Sequence, residues 1–90
     1  MPHYVYLARC SDGSLYAGTC IDPAAREAKH NTGKGAKYTR GRGPVRIIYI
    51  RKCRSLRDAR KKEMKIKKMQ KQEKELLILK FHGGGHRHGG

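Results

Sequence analysis

The chain has 90 residues, of which 22 are lysine or arginine and only 7 are aspartate or glutamate, for a formal charge of +15. This length excludes more than one small domain, and no apolar run approaches the roughly 20 residues that a membrane-spanning helix needs. Residues 37–68 alone carry 14 basic residues against two acids, a net of +12. Such a chain repels itself and favours nucleic acid as a partner. An anionic membrane is the weaker alternative, because no aromatic-rich helix backs the basic residues.

Cysteine usage and the start of the chain indicate the compartment. The three cysteines are an odd number and contain no C-x-x-C pair, namely Cys10, Cys20 and Cys53. This pattern favours reduced thiols over a disulfide framework or a structural zinc site. No signal peptide precedes the first strand-like segment, so we expect a soluble, intracellular (cytoplasmic) protein.

The first half of the chain predicts a hairpin followed by a helix. Residues 4–10 and 15–19 are rich in β-branched and aromatic residues, and the Asp-Gly turn between them favours an antiparallel pair. Asp22 as N-cap and Pro23 as first helical residue predict a helix to about residue 31, with Gly33 as a left-handed C-cap. A short helical turn is expected over 36–39.

The second half predicts a third strand and two helices. Residues 45–51 form the strand, Ser55 begins a long helix with a capping-box pattern, and a last helix covers about 70–79. The predicted fold class is therefore α+β, with a small three-stranded antiparallel sheet flanked by helices in the order β-β-α-β-α-α. We expect residues 1–80 to be the folding unit and the Gly/His-rich residues 81–90 to be a tail that is either disordered or a remnant of cloning.

Glu63 is the most informative single position. Helical spacing places its carboxylate in the apolar stripe of the long helix, where a charge is costly unless it is paired or bound to a metal. A salt bridge to one of the many basic residues and a hard-cation ligand, such as one for Mg²⁺, both fit the spacing.

Four further side chains can carry proton or phosphate chemistry. Arg26 and His30 stand at i and i+4 on the first helix, and they are either ordinary solvated residues or a phosphate-binding fork beside an acid–base group. Tyr6 and Tyr16 lie on the paired strands, where tyrosines usually pack but where a phenol can also orient or deprotonate a water.

The segment Tyr4-Val5-Tyr6, nine intervening residues and Tyr16-Ala17-Gly18 resemble the paired motifs of the GIY-YIG nucleases. Arg26 lies eight residues beyond Gly18, where that family has its helix arginine. Glu63 matches the acidic residue of the later helix. The block GKGAKYTRGRGP at 33–44 is similar to the small stand-alone bacterial branch. The resemblance covers roughly residues 3–79.

The resemblance implies a metal-dependent nuclease. It implies one divalent ion, Mg²⁺ or Mn²⁺, held by Glu63. A tyrosine, or a water that it activates, would attack a phosphodiester, Arg26 would stabilise the added charge, and His30 would assist proton transfer. The general base stays open among Tyr6, Tyr16 and His30, and Gly18 is expected to be structural. The chain departs from the family pattern at three positions, with Tyr4 in place of glycine, Ala17 in place of isoleucine and Gln70 in place of serine.

We therefore expect an endonuclease that hydrolyses phosphodiester bonds in DNA and is directed by the backbone or by structure rather than by sequence. The alternative is a non-catalytic DNA- or RNA-binding module on the same scaffold. Whether the chain has a protein partner stays open. Basic residues of the glycine-rich loop and the long helix are the candidate nucleic-acid contacts: Lys34, Lys37, Arg40, Arg42 and Lys67.

Overall fold

A computed structural model describes residues 2–33 and 37–87, without the side chains of Tyr38 and residues 83–87. Three strands and three helices follow one another as β1 (His3–Arg9), β2 (Leu15–Cys20), α1 (Pro23–Asn31), β3 (Arg46–Cys53), α2 (Leu56–Lys67) and α3 (Lys71–Arg87). The described order is β-β-α-β-α-α, which confirms the predicted α+β class.

The sheet is antiparallel with β1 in its centre, in the order β2-β1-β3. The predicted hairpin is present, and Gly13 in its turn has φ +86°, a conformation that favours glycine. The Asp12 carboxylate accepts bonds from the Ser14 backbone N–H at 3.0 Å and from the Ser14 hydroxyl at 2.5 Å. The short turn therefore fixes the register of β1 against β2.

The helix boundaries follow the predicted caps. The Asp22 carboxylate accepts the Ala25 N–H at 3.2 Å and begins α1, and Gly33 follows the helix with φ +79°. The Ser55 hydroxyl accepts the Asp58 N–H at 3.1 Å and begins α2. A 3₁₀ turn covers Lys37–Thr39, within the predicted helical turn, whose first residue lies outside the described residues.

The last helix is longer than the sequence predicts, since α3 continues to Arg87. The Phe81 ring lies 5.4 Å from the Tyr49 ring, so this part of α3 contacts the sheet. At the start of α3, the Gln70 N–H donates to the Glu73 carboxylate at 3.0 Å. That a disordered tail covers residues 81–90 stays a prediction. No helix among the described residues is long and apolar enough to cross a membrane.

Strand alternation divides β1 between two layers. Val5 and Leu7 face α2 and α3 in one buried cluster, and Tyr6 and Ala8 belong to a second cluster on the opposite face of the sheet. The three cysteines are buried and unpaired with one another, as the sequence predicts.

Helix α1 is fastened to the outer edge of the sheet. The Glu27 carboxylate accepts the Ile47 N–H at 2.6 Å. The Asn31 side chain accepts the Val45 N–H at 2.6 Å and donates to the Val45 carbonyl at 2.9 Å. These bonds place the neighbouring face of α1, which carries Arg26 and His30, over the phenols of the hairpin.

Candidate active site

A buried hydrogen-bonded chain joins the hairpin, α1 and the 3₁₀ turn. The Tyr6 hydroxyl lies 2.9 Å from His30 Nε2, and His30 Nδ1 lies 2.8 Å from the Thr39 hydroxyl. All three residues are buried, with exposures of 1%, 3% and 1% for Tyr6, His30 and Thr39. Both ring nitrogens therefore have partners, which fixes the imidazole in one orientation. We call these three residues the buried triad.

Burial sets the protonation of the buried triad. It raises the pKa of Tyr6 well above its usual value of 10, and the nearby Tyr16 raises it further, whereas the Arg26 guanidinium opposes the shift. Burial and the Arg26 charge lower the pKa of His30 below 6.5. The phenol is thus protonated and the imidazole neutral near pH 7.

Gly18 lies directly beside the phenol of Tyr6. The register pairs Gly18 with Tyr6 across β1 and β2. A Cβ at position 18 would lie 2.6 Å from the Tyr6 hydroxyl oxygen and 3.1 Å from Cε2 of Tyr16. Only glycine leaves room for both rings at this position.

Tyr16 connects the buried triad with α2. Its ring centroid lies 5.7 Å from that of His30 and 6.3 Å from that of Tyr6. On its other side, Lys67 Nζ lies 5.8 Å from the Tyr16 centroid. Tyr16 is half-buried, so it is the more accessible of the two phenols.

The Glu63 carboxylate is half-buried and paired. Its Oε2 lies 3.0 Å from Lys67 Nζ, and the side chains of Lys67 and Glu63 are 51% and 19% exposed. Glu63 also contributes to the raised pKa of Tyr6, so the carboxylate lies within electrostatic range of that phenol. The salt bridge that the sequence allows is present, and it lies beside the tyrosines rather than on another surface.

Arg26 is half-buried one helical turn before His30. Burial raises the pKa of Cys20, and the Arg26 charge opposes that shift as it does for Tyr6. The guanidinium therefore acts on three buried groups of one region, namely Tyr6, Cys20 and His30. The sequence allowed Arg26 and His30 to be ordinary solvated residues, but the structure buries His30 and half-buries Arg26.

The candidate nucleic-acid contacts differ in their surroundings. Lys37 and Arg40 are exposed in the 3₁₀ turn and the residue after it. The Arg42 guanidinium lies 2.6 Å from the Asp12 carboxylate, and Lys67 is paired with Glu63. Lys34 lies outside the described residues.

Sequence reasoning missed Thr39. Nothing in its neighbourhood marks it, because a threonine in a Gly- and Lys-rich loop is ordinary until the loop folds over α1. Its position nine residues after His30 carries no periodic signal.

The donor set fits a single hard cation. Among the described residues no group of three or more His, Cys, Asp or Glu could hold a metal ion, which disfavours a closed site of the zinc type. Mg²⁺ needs only one or two carboxylates, because it keeps several waters and takes further oxygens from phosphates. Glu63 offers such a carboxylate at the edge of the site, with one oxygen engaged by Lys67.

Comparison with known proteins agrees with this architecture. The sequence profile of the GIY-YIG catalytic domain matches residues 2–76. The UPF0213 protein OB0043 of Oceanobacillus iheyensis is 47% identical over 76 residues, which are 84% of this chain and 88% of that protein. A UPF0213 protein of Staphylococcus aureus is also 47% identical, over 84% of this chain and 93% of its own.

Two solved structures are similar as well. The solution structure of the UPF0213 protein BH0048 from Bacillus halodurans has a TM-score of 0.57 at 45% identity, over 90% of this chain and 87% of that one. The protein EF2693 from E. faecalis has a TM-score of 0.61 at 39% identity, over 91% of this chain and 88% of its own.

The chain therefore belongs to the GIY-YIG family, a nuclease superfamily whose members generally use a divalent metal ion. Its relatives are the small bacterial UPF0213 proteins, which consist of little more than this one domain.

Proposed function

We propose that this protein is a divalent-metal-dependent endonuclease that hydrolyses phosphodiester bonds in DNA and is directed by backbone or structure. The observation that carries the proposal is the meeting of complementary groups from four elements. A second phenol from the hairpin, an imidazole and a guanidinium from α1 and a carboxylate from α2 each lie within contact or electrostatic range of the Tyr6 phenol: Tyr16, His30, Arg26 and Glu63.

Phosphodiester hydrolysis needs charge stabilisation, an activated nucleophile and help for the leaving group. The Arg26 fork is suited to non-bridging phosphate oxygens. Glu63 would hold Mg²⁺ or Mn²⁺, and such an ion would supply additional stabilisation of the developing negative charge. The exposed Lys37 and Arg40 would hold the strand through its phosphates without reading sequence.

The two phenols have different roles in this proposal. Tyr6 is buried, its raised pKa keeps it protonated, and His30 holds it, so it acts as a positioning residue. Tyr16 is half-buried and lies towards Lys67 and Glu63, so it orients the attacking water. Both nitrogens of the neutral His30 are already bonded, so any proton that reaches it passes through the Tyr6 or Thr39 hydroxyl.

The test is cleavage of supercoiled plasmid and of branched and single-stranded DNA, with and without Mg²⁺ or Mn²⁺. We expect Glu63→Gln and Arg26→Gln each to reduce cleavage by roughly 10²–10³-fold while binding is kept. Glu73→Gln and Arg46→Gln are matched controls on exposed positions of α3 and β3. Equal cleavage by wild type and both site variants would mean that the activity comes from a contaminant.

The same assay distinguishes the roles proposed for Tyr6 and Tyr16. Tyr16→Phe should lower cleavage without altering the fold. Tyr6→Phe should also lower the thermal midpoint, because it removes a buried partner of His30. Equal cleavage by wild type and Tyr16→Phe would contradict the role given to Tyr16.

A second candidate is a non-catalytic DNA- or RNA-binding module, and the Lys67–Glu63 pair favours it, because Lys67 already neutralises the carboxylate. This candidate predicts salt-sensitive binding, no cutting with any divalent ion and no effect of Glu63→Gln. Matched DNA and RNA hairpins, compared for binding as well as for cleavage, identify the nucleic acid.

A further inference from the structure

We propose that the outer face of α2 is a second phosphate-binding surface for nucleic acid, separate from the candidate active site. This inference rests on the proposed function in one respect, namely that the substrate is a nucleic acid. The surface consists of three exposed cations, and we call it the α2 stripe: Arg57, Lys61 and Lys68.

Helical spacing brings the α2 stripe to one side. Its members stand at i, i+4 and i+11, which lie within about 40° of one another at 100° per residue. They span about 16 Å along the axis, the length over which one strand of a duplex carries about five phosphates. The stripe is therefore long enough to follow a nucleic-acid backbone.

The α2 stripe has no acidic partner among the described residues. The two acids of α2 are engaged elsewhere, since Asp58 lies 3.0 Å from Lys62 and Glu63 lies 3.0 Å from Lys67. Cations at i, i+4 spacing repel one another on an isolated helix. A polyanion removes this repulsion and releases its own condensed counterions.

The neighbouring residues favour nucleic acid over an anionic membrane. Met64, 60% exposed, is the apolar residue on this face, and no aromatic side chain of α2 accompanies it. Insertion into a membrane interface needs a broad apolar face that includes such residues. Glu63 lies about 120–160° around the helix from the stripe, with exposed Arg60 and the Glu63-bound Lys67 between them, so the stripe contacts a different stretch of the nucleic acid from the one at Glu63.

The experiment measures binding of the full chain to a fluorescent DNA duplex in EDTA, so that no cleavage occurs. The test variant is Arg57→Gln/Lys61→Gln/Lys68→Gln. The control is Arg46→Gln/Lys52→Gln/Lys80→Gln, which removes one arginine and two lysines from exposed positions of β3 and α3. Both variants lose the same net charge, and circular dichroism confirms that each is folded.

We expect the test variant to bind on the order of 100-fold more weakly at 0.15 M salt, and its salt slope to fall by about 2.7, if each cation neutralises one phosphate. The control should change both quantities much less. Equal losses in the two variants would show that net charge alone matters and would overturn the proposal. Unchanged DNA binding, with reduced binding to phosphatidylserine vesicles, would assign the stripe to a membrane and would also overturn it.

The failure of this inference and the failure of the proposed function are distinguishable. Cleavage by wild-type protein with Mg²⁺ tests the nuclease, whereas binding in EDTA tests the stripe. A chain that binds DNA through the stripe and never cuts would support the surface and reject the enzyme.

Discussion

The two sides of the candidate site are built differently. On the hairpin side, the buried triad is enclosed, and both nitrogens of its imidazole have partners. On the α2 side, Glu63 is ion-paired to a lysine whose side chain is 51% exposed. One side is held by packing and hydrogen bonds, and the other by an interaction that water and salt weaken.

The buried triad therefore acts as a fixed scaffold, whereas the Glu63 carboxylate can exchange one partner for another. Breaking the buried triad leaves a buried polar group unsatisfied, which costs about 1–3 kcal/mol. Opening an exposed ion pair costs less than about 1 kcal/mol. A phosphate and a cation arriving at the site can therefore replace Lys67 at the carboxylate, whereas they cannot easily displace His30 from Tyr6.

Gly18→Ala disrupts the buried triad and should have the largest effect on the free energy of unfolding. The new methyl group would lie 2.6 Å from the Tyr6 hydroxyl oxygen, so the ring must move and the bond to His30 is lost. We expect a loss of about 1–3 kcal/mol of unfolding free energy, measured by urea denaturation.

Gly43→Ala is the matched control for that substitution. A Cβ there approaches nothing closer than the Asn31 side-chain oxygen at 3.8 Å, and φ of Gly43 is not positive. A Gly18→Ala protein as stable as Gly43→Ala would show that the close approach of the Tyr6 ring to position 18 is not essential.

Lowering the pH should weaken the buried triad through His30, with an effect on stability between those of Gly18→Ala and Lys67→Gln. The pKa of His30 is lowered in the folded state, so below about 6.5 the unfolded chain binds more protons than the folded one. Stability should therefore be fully present above pH 6.5 and fall as the pH is lowered towards the folded pKa. Thermal melts between pH 7.5 and 5 measure the fall, and a His30 pKa at or above 6.5 by NMR titration would contradict it.

Lys67→Gln alters the adaptable side and should have the smallest effect on stability, a loss within about 0.5 kcal/mol. Because the substitution removes the cation that occupies Oε2 of Glu63, Mn²⁺ should bind more tightly in isothermal titration calorimetry. Lys62→Gln, which releases Asp58 in the same helix, is the control. Equal Mn²⁺ affinity in wild type and Lys67→Gln would show that the pair does not compete with metal.

Local signals predicted most of the fold. The Asp-Gly turn and the caps at Asp22 and Ser55 depend on neighbouring residues, and each appears where it was predicted. Helix α3 ends later than the sequence predicts. Three glycines soon after Phe81 disfavour a helix locally, and the contact between Phe81 and Tyr49 depends on tertiary packing that the local sequence does not show.

The site was predicted less completely, because its contacts join distant parts of the chain. The motif spacing brought Tyr6, Tyr16 and Glu63 into consideration, and the structure places them in one region. The sequence could not show that Thr39 holds His30, because this contact joins the 3₁₀ turn to α1 and forms only when the chain folds. The Lys67–Glu63 pair, by contrast, is a local i, i+4 contact that helical spacing allows.

The bonds from Glu27 and Asn31 to the β3 edge affect more than local packing. An edge strand normally has unpaired backbone N–H and C=O groups, to which a strand of another chain can bond and begin aggregation. Here the amides of Val45 and Ile47 are already taken by side chains of α1. The same bonds stop α1 from sliding along the sheet, so protection from self-association and the alignment of Arg26 and His30 share one physical origin.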